Sequence, residues 1–232
     1  MLYPVPAVMV SCGRPEEKPN IITVAWAGTV CSSPAMVSIS VRKERYSYDI
    51  LKETGEFVIN LITRDLTYAT DFCGVRSGRD VDKFAQMHLT PLPSQHISAP
   101  GIAESPVNLE CKVTQVIPLG SHDMFLAEVL GVTVDEKYMD VNGKFHLNDA
   151  GLVAYSHGEY FELGEKLGKF GYSVAKKQAA KTESVTKSAK PSGAGKKAAS
   201  AENRTASKTG AGNRRKSASK TGSADKQKSR RK

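Results

Sequence analysis

Between Arg42 and Leu51 the chain sets three cations, Arg42, Lys43 and Arg45, just ahead of Ser47 and the helix-forming run Tyr48-Asp49-Ile50-Leu51. A helix N-terminus offers unpaired backbone N–H groups and the positive end of its dipole. Cations and a hydroxyl at that point therefore form a receptor for a phosphate-like anion. Ser47 stands where an N-cap is expected and can cap the helix while still facing such an anion. Taken alone, the same residues also describe an ordinary Ser-capped surface helix with solvated Arg and Lys.

A second stretch lies one strand earlier. Thr23-Val24-Ala25-Trp26-Ala27-Gly28-Thr29 offers hydroxyls at both ends with small residues between them, and Cys31-Ser32-Ser33-Pro34 then turns the chain. A flat heteroaromatic ring with polar edges asks for backbone or hydroxyl donors at its rim and an apolar or aromatic wall at its face. The stretch can supply both. It can equally be a half-buried strand and a turn, with Trp26 a core or interface aromatic. Ring-binding and anion-binding features in succession along one chain favour the ligand reading.

Other chemistries find little support. The five histidines (His88, His96, His122, His146, His157) lack metal-ligand spacing, and Cys12, Cys31, Cys73 and Cys111 form no CxxC pair. Neither GxGxxG nor GxxxxGK[ST] occurs, which argues against Rossmann and P-loop nucleotide domains. No catalytic triad is expected. His157 is the histidine to test as a contact to a second reactant, and Cys31, beside Ser32, the thiol to test near a bound ring.

The elements that must position these residues are mostly strands. Tyr3–Cys12, Ile21–Ala27, Met36–Val41 and Phe57–Leu61 are rich in β-branched residues and bounded by turn formers. Two longer apolar runs, Leu109–Leu119 and Met124–Glu136, flank Gly120-Ser121-His122-Asp123, which reads as a four-residue hairpin loop. Asn142-Gly143 marks another tight turn. Helical patterns cover Ser47–Thr54, Asp65–Cys73 and Asp80–Met87. Six or more strands with short helices predict a mainly β fold, a closed or nearly closed barrel with helical additions, a β-sandwich being the alternative.

Charge divides the chain of 232 residues at about position 175. Residues 176–232 hold 18 Lys and Arg against three Asp and Glu, whereas residues 1–175 carry a net −6 within the overall +9. Almost no large apolar residue follows Val185, so this segment is expected to be a disordered basic C-terminal tail. Such a tail suits nonspecific nucleic acid or an anionic surface, bound through counterion release, or acts only as a solubilising appendage. Residues 1–175 have the length of one domain. No apolar run reaches the roughly 20 residues needed to span a bilayer, and the N-terminus lacks the basic lead of a secretory signal. A cytoplasmic protein with reduced thiols is the expectation.

The run RKERYSYDILKETGEFVIN, the stretch Cys73-Gly74-Val75-Arg76-Ser77-Gly78-Arg79-Asp80-Val81-Asp82-Lys83-Phe84 and the closing Tyr160-Phe161-Glu162-Leu163-Gly164 resemble the flavin reductase-like family, the FMN-binding split β-barrels that include flavoredoxin. The resemblance implies a split barrel over residues 1–175 with FMN as cofactor. It implies that Thr23, Ala25, Trp26, Thr29 and Ser32 lie along the flavin ring and ribityl chain, and that Ser40, Arg42, Ser47 and Tyr48 serve the ribityl end and phosphate. Pro34-Ala35 replaces the Pro-Pro of many relatives. The implied activity is that of a flavin reductase or flavoredoxin-like electron carrier. It would pass electrons from NAD(P)H or an electron-carrier protein through FMN to free flavin, a ferric complex or a partner protein. A homodimer with flavin at the subunit interface is also implied. The alternative is a non-catalytic flavin-binding module tethered to nucleic acid by the basic tail, which is no part of the family pattern.

Overall fold

The computed structural model describes residues 2–175; the expected basic tail lies outside them. In chain order the elements are β1 (Val5–Pro6), β2 (Val8–Cys12), β3 (Asn20–Val24), β4 (Ala27–Ser32), β5 (Ala35–Arg42), α1 (Tyr46–Thr54), β6 (Glu56–Leu61), α2 (Thr67–Val75), α3 (Lys83–Gln86), β7 (Pro91–Leu92), β8 (Gly101–Ile102), β9 (Val107–Pro118), β10 (His122–Val134), β11 (Val153–Ser156) and β12 (Glu159–Glu162). Among the described residues no helix is long and apolar enough to cross a membrane.

Seven strands form one antiparallel sheet in the order β3-β2-β6-β9-β10-β5-β4. Its two outermost strands, β3 and β4, follow one another in sequence. The chain itself therefore joins the sheet's edges, and Ser40 N of β5 donates to Trp26 O at 2.8 Å, extending the β4–β5 ladder into that crossing. The result is a barrel with one split side, as the sequence predicts.

Strand periodicity explains the two cores. Val8, Val10 and Cys12 of β2, Ile22 and Val24 of β3, Val37, Ile39 and Val41 of β5, and Phe57 and Ile59 of β6 alternate into the barrel interior, where they meet Phe125 and Ala127 of β10. Intervening residues on the same strands, Met9 and Ile21, face outward into a second core with Leu66, Ala69, Cys73, Phe84 and Ile102. All five residues of β2 are consequently buried. At roughly 1.5–3 kcal/mol for each fully buried large apolar side chain, Phe57, Phe125, Met9 and Ile39 anchor these layers.

α1 sends Ile50 and Leu51 into the barrel interior and ends at Gly55, whose left-handed φ of 64° lets its N–H bond Leu51 O at 3.1 Å. Most expected elements are found, with shifted ends. The single strand expected over Tyr3–Cys12 is two strands in different sheets, because β1 leaves the barrel to pair with β11. The expected strand Ile21–Ala27 breaks after Val24, and β4 continues through Cys31 and Ser32, so that the turn is confined to Ser33-Pro34. The β9–β10 loop is shorter than expected: Asp123 already pairs with Pro118, and Leu119 N bonds His122 O at 2.9 Å. The β11–β12 hairpin has no counterpart in the sequence reading. Its two-residue turn is His157-Gly158, with φ of 52° and 97°, the conformation that right-twisted hairpins favour.

Candidate functional site

A cleft of about 270 Å³ opens at the barrel seam. Its floor is the end of β3 and the crossing that follows, Thr23-Val24-Ala25-Trp26, and its side is Ser40-Val41-Arg42 at the end of β5. Antiparallel pairing sets His122 opposite Arg42, so the first residue of β10 also borders the cleft.

The remaining wall is aromatic. Tyr3 lies 6.2 Å, centroid to centroid, from Trp26 and 6.2 Å from Tyr155, and Tyr155 meets Tyr160 edge-on at 5.5 Å. The pairing of Val5 with Tyr155 brings these rings together from opposite ends of the domain. Burial, and then the nearby Asp71 carboxylate, push the Tyr160 hydroxyl up to about 12. It is therefore a neutral hydrogen-bond donor at ordinary pH, 3.4 Å from Asp71 Oδ1.

Next to this cleft, and sharing Ile22 and Arg45 with it, is a pocket of about 340 Å³ bordered by Asn20, Ser47, Ser77, Arg79 and Lys83. Three of its cations are held by backbone oxygens. Lys83, 3% exposed, donates from Nζ to Ile21 O at 2.6 Å and to Cys73 O at 2.8 Å. Arg45 reaches Gly74 O and Arg79 reaches Glu44 O, both at 3.3 Å. Among the described residues no carboxylate forms an ion pair with Lys83; its neighbour Asp82 caps α3 and pairs with Lys18 instead. A buried ammonium without a counter-anion is electrostatically incomplete. Burial and then, beyond two nearby thiols, Arg45 bear on it, and its pKa falls to about 8. The hydroxyls of Ser47 and Ser77 complete a lining that suits a phosphate group.

Glycine is required at one point of this pocket. A Cβ on Gly78 would stand 2.1 Å from Asn20 Oδ1 and 2.7 Å from Tyr46 Cδ1. The close approach holds Asn20 where its Nδ2 donates to the buried Ser47 Oγ at 2.7 Å.

Of the residues expected from sequence, Thr23, Ala25, Trp26, Ser40 and Arg42 border the cleft, and Ser47 borders the adjoining pocket. The Thr23 hydroxyl donates to Thr70 O, which ties β3 to α2. Ser47 is not the N-cap: α1 begins one residue earlier and is capped by Arg45 without a side-chain bond, leaving Ser47 buried inside the first turn. Arg42 stands in the cleft beside Glu44, at 3.3 Å, apart from Ser47. Tyr48 turns the opposite way. Its hydroxyl donates to Asp123 Oδ2 at 2.5 Å and its ring meets Phe125 edge-on at 5.8 Å, because its side of α1 packs against the barrel. Thr29 and Ser32 are exposed on the edge strand β4, outside the cleft. His157 occupies the β11–β12 turn, 6.1 Å from the Tyr3 ring, and the histidine bordering the cleft is His122.

Tyr3, His122, Tyr155, Arg79 and Lys83 were not singled out as site residues by sequence. Arg79 and Lys83 fall in the stretch Cys73–Phe84 that carries the family resemblance, which was the available signal. Nothing local marks Tyr3 or Tyr155, whose proximity comes from strand pairing.

A sequence model of the flavin reductase-like domain matches residues 1–164. Flavoredoxin of Desulfovibrio vulgaris (Miyazaki F) superposes with a TM-score of 0.70 at 34% identity, covering 75% of this chain and 95% of that one. Flavoredoxin from Methanosarcina acetivorans gives 0.67 at 25% identity over the same shares. An uncharacterized protein of Archaeoglobus fulgidus is 32% identical over 160 residues, 69% of this chain and 88% of the relative.

Proposed function

The chain belongs to the flavin reductase-like family, and from that premise we propose that it binds FMN and works as a flavin-dependent oxidoreductase of the flavin reductase or flavoredoxin kind. The observation that carries this reading is the union of an aromatic-walled cleft with an adjoining pocket whose buried Lys83 has no carboxylate partner among the described residues. A ring with a phosphate tether needs both in that order.

FMN would bring the redox chemistry, accepting electrons in pairs and returning them in pairs or singly. The chain's residues have the tasks of holding and shielding. Ala25, Trp26, Ser40 and Arg42 border the ring and ribityl positions, while Arg45, Ser47, Arg79 and Lys83 hold the phosphate. Tyr3, Tyr155 and Tyr160 limit access of water to the ring and leave a flat opening for a second reactant. His122, and the Tyr160 hydroxyl that already donates to Asp71 Oδ1, are polar groups on the cleft wall beside that opening. The second reactant is NAD(P)H or an electron-carrier protein, and the acceptor free flavin, a ferric complex or a protein.

A homodimer belongs to the proposal. Among the described residues β4 presents an unpaired edge with Val30 exposed, and a second copy packed there would enclose Thr29 and Ser32, giving these two residues a place near the flavin. The charge segregation favours one further role: residues 176–232 carry the cationic excess, which suits binding to nucleic acid at low salt and release at high salt.

The deciding experiment is an absorbance titration of purified protein with FMN, followed by anaerobic addition of NADH and of NADPH. Bound flavin that bleaches with one nucleotide identifies a reductase and its donor. Bound flavin that stays oxidised with both directs attention to a protein donor or to the flavin-binding module, and deletion of 176–232 then separates tail-mediated nucleic-acid binding from flavin binding. Failure to bind FMN refutes the proposal.

A further inference from the structure

Resting on the FMN reading, we propose that Lys83 is a pH-responsive phosphate clamp, which grips the flavin phosphate when charged and lets the pocket loosen when neutral. The geometry supports two states. An ammonium has three N–H donors, and Lys83 Nζ gives two of them to Ile21 O and Cys73 O. A neutral amine keeps two N–H groups, so both carbonyl bonds survive deprotonation. What changes is the third position: an N–H toward the pocket becomes a lone pair, which repels phosphate oxygens instead of donating to them. The fold is thus satisfied in either state, while the pocket is not.

The surroundings isolate this titration. Facing Lys83 are Cys12 from β2, Cys73 from α2, Arg45 from the turn before α1, and the neutral Asn20 and Ser47. Burial pushes both thiols up to about 11, and the pocket's other cationic side chains are the guanidinium groups of Arg45, Arg76 and Arg79. Glu44, at the pocket's rim, is held below the usual carboxylate range by its own backbone N–H and then by Arg42. Lys83 itself, brought down to about 8 by burial, is the group that titrates between neutral and mildly alkaline pH. A phosphate dianion beside it raises its pKa. FMN affinity is therefore full below the free-state value and falls as pH rises through it, levelling off above the bound-state value.

The test compares FMN with riboflavin, which has the same ring without the phosphate. Trp26, the chain's sole tryptophan, borders the cleft, so quenching of its fluorescence gives Kd for both ligands between about pH 7 and 9.5, where an organic phosphate is already a dianion. The FMN Kd is expected to rise at least about fivefold across that range, with riboflavin unchanged. In Lys83→Arg the FMN profile becomes flat. Parallel FMN and riboflavin profiles in the wild type would overturn the clamp even if the variant failed to fold, as would a Lys83→Arg profile that still declined. FMN binding no tighter than riboflavin at pH 7 would instead overturn the phosphate-pocket assignment beneath it.

Discussion

Replacing Gly78 by Ala puts a methyl group where Asn20 Oδ1 now lies 2.1 Å from the ideal Cβ position. Real Cβ contacts do not fall below 3.0 Å, so the carboxamide must retreat by about 1 Å, and Tyr46 Cδ1, at 2.7 Å, must move as well. The 2.7 Å bond from Asn20 to the buried Ser47 hydroxyl does not survive that displacement. Overpacking a close contact costs roughly 1–3 kcal/mol, and the lost hydrogen bond about 0.5–1.5 kcal/mol more. The sum, roughly 1.5–4.5 kcal/mol, lowers the thermal midpoint of a domain of this size by roughly 3–18 °C. Urea unfolding at constant m-value measures it, and an FMN titration should show weakened binding, since Ser47 and Arg79 border the anion pocket. Pairing the change with Asn20→Ala removes the nearest clashing atom, so the double variant should be more stable than the sum of the single losses requires. An unfolding midpoint equal to wild type in Gly78→Ala, or strict additivity with Asn20→Ala, would refute the reasoning.

Tyr48→Phe removes the hydroxyl bound to Asp123 and lies outside both pockets, so it should lower the urea midpoint at pH 7 and leave FMN affinity unchanged. The Asp123 carboxyl is held low, first by Tyr48 and then by Lys43. That stability is present above the unfolded value of about 3.9 and is lost as pH falls through the folded value. The difference between wild type and Tyr48→Phe should therefore shrink toward pH 2, and a constant difference would dismiss the pair. Native protein should show at most one fast thiol toward a disulfide reagent, slower where a second copy covers β4, and four after unfolding. Cys12, Cys73 and Cys111 are buried, with thiols pushed up to about 11, 11 and 12, whereas Cys31 is half-exposed on β4. Persistence of the fast thiol in Cys31→Ser would show the assignment wrong.

Much of the fold was legible because strands and turns are written locally. Alternation of β-branched residues marked β2, β3, β5, β6, β9 and β10, and Ser47–Thr54 marked α1 to within a residue. Part of the site was legible for the same reason. Thr23 through Trp26 lie on a single strand exit and the crossing that follows it, and Arg42 through Ser47 on a single turn, so their order along the chain is also their order along the cleft and its adjoining pocket. The sequence alone also determined the charge segregation, since it depends on composition.

Tertiary structure decided the rest. Whether Ser47 caps α1 or lies inside its first turn depends on a two-residue shift of the N-cap, from Ser47 to Arg45, which capping preferences worth about 1 kcal/mol cannot specify against the packing of Ile50 and Leu51. The direction of Tyr48 was set by Phe125 and Asp123, 75 residues or more away. Tyr3 and Tyr155 meet because β1 pairs with β11, and His122 enters the cleft because its register partner is Arg42. Sequence alone gives Lys83 no role of its own beyond its place in the stretch Cys73–Phe84. Only the convergence of β3 and the end of α2 surrounds it with carbonyls in place of carboxylates. A local pattern can state which face of an element is apolar, but contacts between residues far apart in the chain are fixed by how the faces of many elements pack, and those contacts complete this site.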